Sequence, residues 1–355
     1  MPDCARILVV RTDRLGDVIL TLPLLPILRR FFPKAHLAML LGRYAGEVVE
    51  GNPWVDELLW YDAGGAPVPF GRMLRTLREK KFDACVVVHP TGRIAALMFL
   101  AGIPLRVGTG YRLYSLLFNR RVYTHRKVAT RHEIEYNLDL LKGLGREAPA
   151  GMRPDFTVMI PGTARGRVEQ MLAVRGIAPG DRYVVIHPGS GGSARDWPLE
   201  NFGELADLLS AREGVRVVVT GGAGEAVKVE TVVRRSGGKA VGLAGEFSLK
   251  ELAALIQRGA LFISNSTGPL HLAVAVGTPV LGFYPQIPVM GVRRWGPSAE
   301  KARVLVPERP IDCSLCTGKA GEPCPCMSSI TVDAAGIAAA SLLSASPVLM
   351  GSSGA

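Results

Sequence analysis

The chain alternates short apolar runs with amphipathic stretches along almost its whole length. RILVV (6–10) is a compact apolar run. A polar segment containing Arg11, Asp13, Arg14 and Asp17 follows, then a second apolar stretch over 18–32. AHLAML (35–40) and VDELLWYD (55–62) read as strands, with GRYAGEVVEG between them as a helix. GRMLRTLREKKF (71–82) predicts a basic helix with Met73, Leu74 and Leu77 on one side. DACVVVHP (83–90) is continuously apolar, as a strand covered on both faces must be, and LRVGTG (105–110) reads as a strand edge. Strands separated by helices predict a parallel sheet.

A Gly- and Pro-rich region at 145–166 interrupts the series and reads as a linker. The pattern then restarts. YVVIHPGS (183–190), VRVVVTGG (215–222), LFISNSTGP (261–269) and TPVLGFYP (278–285) are strands, separated by helical stretches such as ENFGELADLLSAR and LKELAALIQRG. The expected fold class is α/β, with two Rossmann-like domains over 1–160 and 161–335 and a C-terminal helix and tail over 336–355. In open parallel sheets ligands bind at the carboxyl ends of strands. The polar turns lie at such ends, so two domains facing each other would line a cleft with them.

Composition narrows the class. The 355 residues are 48% hydrophobic and 21% charged, which is globular rather than disordered. The net charge of +11 favours an anionic partner, or simply solubility. No interleaved aromatics, zinc finger or RNA-binding signature accompanies the charge, so nucleic acid is not expected. The N-terminus runs straight into ARILVVRTD without a signal-peptide pattern, and the tail AAGIAAASLLSASPVLMG, with Pro347 in it, is a poor membrane helix. A cytoplasmic location follows as the expectation. Cys313, Cys316, Cys324 and Cys326 cluster as C-x2-C-x7-C-x-C. That spacing does not match the common zinc patterns, so no metal site and no cofactor is expected, with these four cysteines as the alternative ligands.

The candidate chemistry lies in the turns. In SNSTGPLHLA (264–273), Ser266, Thr267 and Gly268 precede a helix expected near Pro269. Free N–H groups at the positive helix end make an anion site there, and an ordinary N-cap followed by Pro satisfies the same residues. His271 is a phosphate or sugar contact, or a structural histidine. HPGSGGSARDWP (187–198) offers backbone donors at Ser190 and Gly191, and Arg195 supplies a fixed positive charge suited to a diphosphate. In TGGAGE, which begins at Thr220, the carboxylate of Glu225 can accept both hydroxyls of a ribose. Neither G-x-G-x-x-G nor a P-loop sequence is present, against NAD and P-loop chemistry. The second half therefore reads as a nucleotide-diphosphate pocket.

In the first half, Gly16-Asp17 reads as a turn at the end of the first strand. Asp17 is either a general base for an acceptor hydroxyl or an N-cap, and Asp13 competes for the first role. Gly16 is grouped with the donor contacts. Arg14, Arg72, Arg75, Arg112 and Arg120 suit an anionic acceptor, while a solvated helix face accounts equally for the residues of 71–82.

Taken in order, ILVVRTDRLGDVILTLPLLPILRRFFP, HPGSGGSARDWPLENFGELADLL, VVVTGGAGE and SNSTGPLHLAVAVGTPVLGFY resemble the ADP-heptose:lipopolysaccharide heptosyltransferases, glycosyltransferase family 9. The resemblance implies a GT-B fold. It implies inverting, metal-independent transfer of heptose from ADP-heptose to the lipopolysaccharide inner core, with Kdo-lipid A or a core heptose as acceptor. The partners implied are an ADP-sugar and an anionic lipid-linked oligosaccharide, met by a protein peripheral to the cytoplasmic face of the inner membrane. It also implies Asp17 as base, Arg195 on the donor phosphates, Glu225 on the ribose, and Thr267 and Gly268 on phosphate or sugar. Ser266 departs from the pattern. Several members carry Asp there, implied to help hold the heptose, and this leaves the sugar itself open. On the residues alone two other classes stand beside transfer: a sugar-nucleotide epimerase on the same architecture, and a nucleotide- or metal-binding protein organised by the cysteines.

Overall fold

The computed structural model describes residues 4–308 and 324–345. The chain divides into two compact units, Met1–Met159 and Ile160–Ala355.

The first unit runs β1 (Arg6–Arg11), α1 (Leu15–Ile19), α2 (Leu24–Phe31), β2 (His36–Leu41), α3 (Arg43–Gly46) and β3 (Glu57–Trp60). A small antiparallel pair follows, β4 (Asp62–Ala63) and β5 (Ala66–Pro67). Then come α4 (Phe70–Lys80), β6 (Ala84–Val87), α5 (Gly92–Leu100), β7 (Leu105–Thr109), β8 (Arg120–Val122) and α6 (Glu133–Leu138). Its six-stranded sheet is parallel throughout, in the order β3-β2-β1-β6-β7-β8. The strands are apolar because both faces are covered: Ile7, Leu8, Val9 and Val10 of β1 and Cys85, Val86 and Val87 of β6 are fully buried. One core side packs Leu8, Val10, Leu40 and Val87 against Met73 and Leu77 of α4 and Ile94, Leu97 and Met98 of α5.

The second unit runs α7 (Gly162–Val174), β9 (Tyr183–His187), α8 (Leu199–Arg212), β10 (Arg216–Gly221), α9 (Ala226–Arg235), β11 (Ala240–Ala244) and α10 (Leu249–Arg258). It continues through β12 (Leu261–Asn265), α11 (Gly268–Ala275), β13 (Val280–Phe283), α12 (Val292–Trp295), β14 (Ala302–Leu305) and α13 (Val332–Ser344). Its parallel sheet has the order β11-β10-β9-β12-β13-β14. The two sheets have the same topology. In each, the chain starts in the middle, winds outward one way, then crosses to the other side. The strand ends therefore splay apart between β1 and β6, and between β9 and β12, where an open parallel sheet takes its ligand.

Helix α7 begins at Gly162, inside the region read as linker. Gly and Pro there suggested a break, but Ala164, Val168 and Leu172 recur every four residues and are buried, and α7 packs on α10. Helix α13 packs on α8 as part of the second core, with Ala335, Ala339, Leu342 and Leu343 buried there. No helix among the described residues is long and apolar enough to cross a membrane.

Trp197 organises the second core. It is buried, stacked on Phe283 with ring centroids 4.2 Å apart and edge-on to Phe202 at 4.9 Å. Its indole N–H donates to the Ile330 carbonyl at 2.9 Å, tying the start of α8 to the segment before α13. Trp197→Ala should cost about 3–5 kcal/mol of stability, read as a lowered denaturant midpoint. A change below about 1 kcal/mol would contradict this role.

Candidate active site

At the switch point of the first sheet, β1 ends on Arg11, whose side chain is only 1% exposed. Its guanidinium collects three carboxylates. Nε donates to Asp13 Oδ1 at 2.7 Å, Nη2 pairs with Asp17, and Nη1 lies 3.7 Å from Glu133 and 3.4 Å from Asn137 Oδ1. Burial alone would disfavour the cation, and these carboxylates hold it protonated. Arg126 adds a second cation, 2.5 Å from Glu133, and Asn137 donates to the Leu20 carbonyl at 2.9 Å. From the neighbouring strand end, His89 Nδ1 approaches Asp13 Oδ2 to 3.4 Å.

Arg11 and Arg126 face Asp13, Asp17 and Glu133. Asp13 has Arg11 and His89 as partners, while Asp17 has Arg11. Burial raises the Asp17 carboxyl above the usual carboxylate range. Arg11 opposes the rise, and the neighbouring Asp13 charge adds to it. A carboxylate destabilised in this way is the better proton acceptor.

The expected Gly16-Asp17 turn is not a turn. Helix α1 starts at Leu15, Arg14 occupies the cap position without a side-chain hydrogen bond, and both Gly16 and Asp17 lie in the first helical turn. The cap reading of Asp17 is thereby overturned, because its carboxylate is engaged with Arg11 rather than with the helix N–H groups.

In the second unit, the loops after β9, β10 and β12 are bonded together at the strand ends. The Asn265 side chain, fully buried at the end of β12, accepts from Trp197 N at 2.9 Å and donates to the Pro188 carbonyl at 2.8 Å. Ser193 Oγ donates to Ser190 O at 2.7 Å and reaches Ser266 O at 3.4 Å. His187, buried at the end of β9, pairs with Thr220 Oγ1 at 3.0 Å and lies 3.7 Å from Glu225 Oε2. Burial lowers the His187 pKa despite Glu225, which leaves the imidazole neutral near pH 7.

Glu225 accepts from Gly222 N at 2.9 Å, and its carboxylate lies so close over Gly189 that a Cβ there would overlap Oε1. After Gly189 the chain turns through Gly191 and Gly192, both left-handed, at φ 54° and 74°. Thr267 caps α11 by accepting from Leu270 N at 3.4 Å. Gly268 is the first helical residue, one position earlier than expected.

Three buried polar atoms in this one loop, Ser190 Oγ, Arg195 Nε and Asp196 Oδ1, have no hydrogen-bond partner among the described residues. Buried polar atoms are ordinarily satisfied, so a ligand is the natural partner for the cluster. Burial raises the Asp196 carboxyl. The nearby Ser190 hydroxyl opposes this without reaching hydrogen-bond geometry, and so does Lys228 at 3.2 Å.

The fold thus brings Ser190, Gly191, Arg195, Glu225, Ser266, Thr267 and Gly268 to one end of one sheet. Thr220 is there too, turned to His187. His271 is 4% exposed within α11, among the packed residues rather than at the turn. In the first unit Arg72 and Arg75 are exposed on α4, whereas Arg112 and Arg120 belong to the β7–β8 edge. Lys80 on α4 pairs with Glu57, a structural contact. Cys324 and Cys326 are buried in the second core. Cys313 and Cys316 lie outside the described residues. No group of three or more His, Cys, Asp or Glu among the described residues is placed to hold a metal. Sequence reasoning passed over Arg11, His89, Glu133 and Asn137 in the first unit, and His187, Asp196 and Lys228 in the second. The legible signal for Arg11 was a cation ending a fully apolar strand.

The Glu225–Gly189 approach is directly testable. Gly189→Ala should push the carboxylate off its seat and weaken nucleoside-diphosphate binding by about tenfold or more, measured by calorimetry. Unchanged affinity would separate Glu225 from ligand binding.

The sequence profile of glycosyltransferase family 9 (heptosyltransferase) matches residues 70–318. Lipopolysaccharide heptosyltransferase 3 of Escherichia coli K12 is 28% identical over 283 residues, covering 76% of this chain and 79% of that one. The crystal structure of a family 9 glycosyltransferase from Veillonella parvula superposes with a TM-score of 0.80 at 26% identity, over 96% of this chain and 97% of that one. The structure of the E. coli ADP-heptose lipopolysaccharide heptosyltransferase II has the same fold, with a TM-score of 0.78 at 23% identity, over 95% and 98% of the two chains. Two parallel Rossmann-like sheets, polar turns at their switch points and a family match over most of the chain make this a GT-B glycosyltransferase, a member of glycosyltransferase family 9.

Proposed function

We propose that the protein transfers heptose from ADP-heptose to the inner core of lipopolysaccharide with inversion, and needs no metal to do so. The observation that carries the donor half is the pair of orphaned donors, Ser190 Oγ and Arg195 Nε, beside the left-handed glycines and the N-terminus of α11. A diphosphate supplies acceptors for the Arg195 guanidinium, the Ser190 hydroxyl and the Gly268 N–H at the start of α11. The ribose hydroxyls suit Glu225, fixed over Gly189. These protein groups meet the leaving-group charge, so the reading assigns no step to a cation. The heptose and the core acceptor are supported by the relatives' own activities.

In this reading the acceptor hydroxyl gives its proton to Asp17. Its oxygen forms the new bond to the anomeric carbon as the bond from that carbon to the diphosphate oxygen breaks, and ADP departs with the electron pair. Displacement from the opposite face inverts the anomeric centre. Asp17 suits this role because its carboxyl is raised by burial and by Asp13 while remaining attached to a rigid strand end through Arg11. The acceptor is lipid-anchored, so the protein works beside the cytoplasmic face of the inner membrane.

Asp17→Asn should lower turnover by about 10²- to 10⁴-fold while leaving ADP affinity unchanged. Turnover equal to the wild type removes Asp17 from the chemistry. A screen of ADP-, GDP- and UDP-sugars by melting shift, followed by product analysis with and without acceptor, tests the donor and separates transfer from epimerisation.

The pH profile gives a second test. The base works ionised, so kcat/KM should fall as pH drops through the raised Asp17 pKa. That acid limb should lie above the usual aspartate range. Asp13→Asn removes the like charge and frees Arg11 for Asp17, which moves the limb to lower pH. A limb unmoved in Asp13→Asn would show that another group sets it.

A further inference from the structure

Between Asp83 and Glu133 the chain contains no acidic residue and eight Lys or Arg. The same segment holds seven of the fourteen strongly exposed large apolar side chains among the described residues, from Phe99 to Val128. Both features lie at the β7–β8 edge of the first unit. Leu113 and Leu116 project from a short 3-10 turn, Leu113–Leu117, at 85% and 64% exposure. Tyr123, just past the edge strand β8, meets Tyr111 edge-on at 5.6 Å, and Tyr111 rests on His125 at 4.6 Å.

Phe99 and Leu100, exposed at the end of α5, join the same surface. The Arg106 guanidinium lies 5.3 Å from the Phe99 ring centroid, and its Nε donates to the Leu117 carbonyl at 2.8 Å. Arg112, Arg120, Arg121 and Lys127 are exposed and make no ion pair among the described residues. Alongside runs a groove of about 720 Å³, walled in part by Arg120, Arg121, Tyr123, Arg131 and Lys142. Its Thr124 hydroxyl is buried without a hydrogen-bond partner among the described residues.

We propose that this edge is a docking surface for a bilayer carrying anionic phospholipid. Exposed leucines would enter the headgroup boundary, tyrosines sit at its polar level, and unpaired arginines meet lipid phosphates, as in other interfacial anchors. A water-facing surface would not strand leucines among uncompensated cations. The segment itself carries no acid, and the one carboxylate lining the groove, Asp139, is paired with Arg131 and Lys142, so the edge opposes an anionic surface rather than an average protein one. The choice of a bilayer also rests on the lipid-anchored acceptor of the proposed function. That acceptor must be reached from the membrane plane.

The test is co-sedimentation of the full-length protein with phosphatidylcholine vesicles, with and without about 30% phosphatidylglycerol, at two salt concentrations. The expected result is binding to the anionic vesicles that weakens with salt. It should fall by about tenfold or more in Leu113→Ser/Leu116→Ser. That variant should keep the wild-type Tm and ADP affinity, since both side chains are exposed. Arg120→Gln/Arg121→Gln should bind more weakly and with less salt dependence. Equal pelleting with both vesicle types, or a leucine variant that binds like the wild type, overturns the proposal. So does a concentration-dependent dimer lost in the leucine variant without vesicle binding, because the patch would then be covered by a second copy. ADP affinity on the same preparation tests the transferase reading separately. If vesicles fail while ADP binds, only the docking surface falls.

Discussion

A guanidinium buried at the end of a central strand is the constraint around which the first domain's site is built. Arg11 cannot remain charged at that depth without carboxylates around it. Asp13 comes from the loop after β1, Asp17 from the first turn of α1, and Glu133 and Asn137 from α6, far along the chain. Burial at that depth, with the Asp13 charge beside it, raises the Asp17 carboxyl against the pull of Arg11.

The second domain meets the complementary requirement by leaving polarity unspent. Asn265 and Trp197 tie the loop after β9 to the end of β12 and to the core, so the loop has little freedom. Within that fixed frame Ser190, Arg195 and Asp196 keep buried polar atoms without protein partners. Of these, Ser190 and Arg195 are donors, and donors fixed in advance cost no reorganisation when an anion arrives. Glu225 is placed by shape as much as by bonding, since only glycine at 189 leaves room for its carboxylate.

The two domains belong to a chain of glycosyltransferase family 9, and each carries polar turns at the switch point of its own sheet. The basic apolar edge of the first domain adds a third element, a surface where exposed leucines and tyrosines stand among arginines without ion pairs. Its charge and its exposed leucines occupy one segment, so a single stretch of chain accounts for much of the protein's net positive charge.

Much of the architecture could be read from local pattern. Continuous apolar runs such as ACVV and YVVIH are strands because both of their faces are covered, and the alternation with amphipathic helices leaves a parallel sheet as the arrangement. The polar turns at 189–195 and 266–268 were likewise visible, because glycine and hydroxyl residues after a strand mark a ligand-facing end. Local pattern misled where Gly and Pro were given more weight than periodicity, as at the start of α7, and where Gly16 was read as a turn although it lies within α1. Arg11 as a hub, Glu133 as its counter-ion, His187 beneath Glu225 and the convergence of exposed leucines with unpaired arginines emerged only on folding. Such contacts join residues tens to more than a hundred positions apart. A charge pair or a close backbone approach between distant segments leaves no periodic trace along the chain, whereas burial of a strand or helix face does.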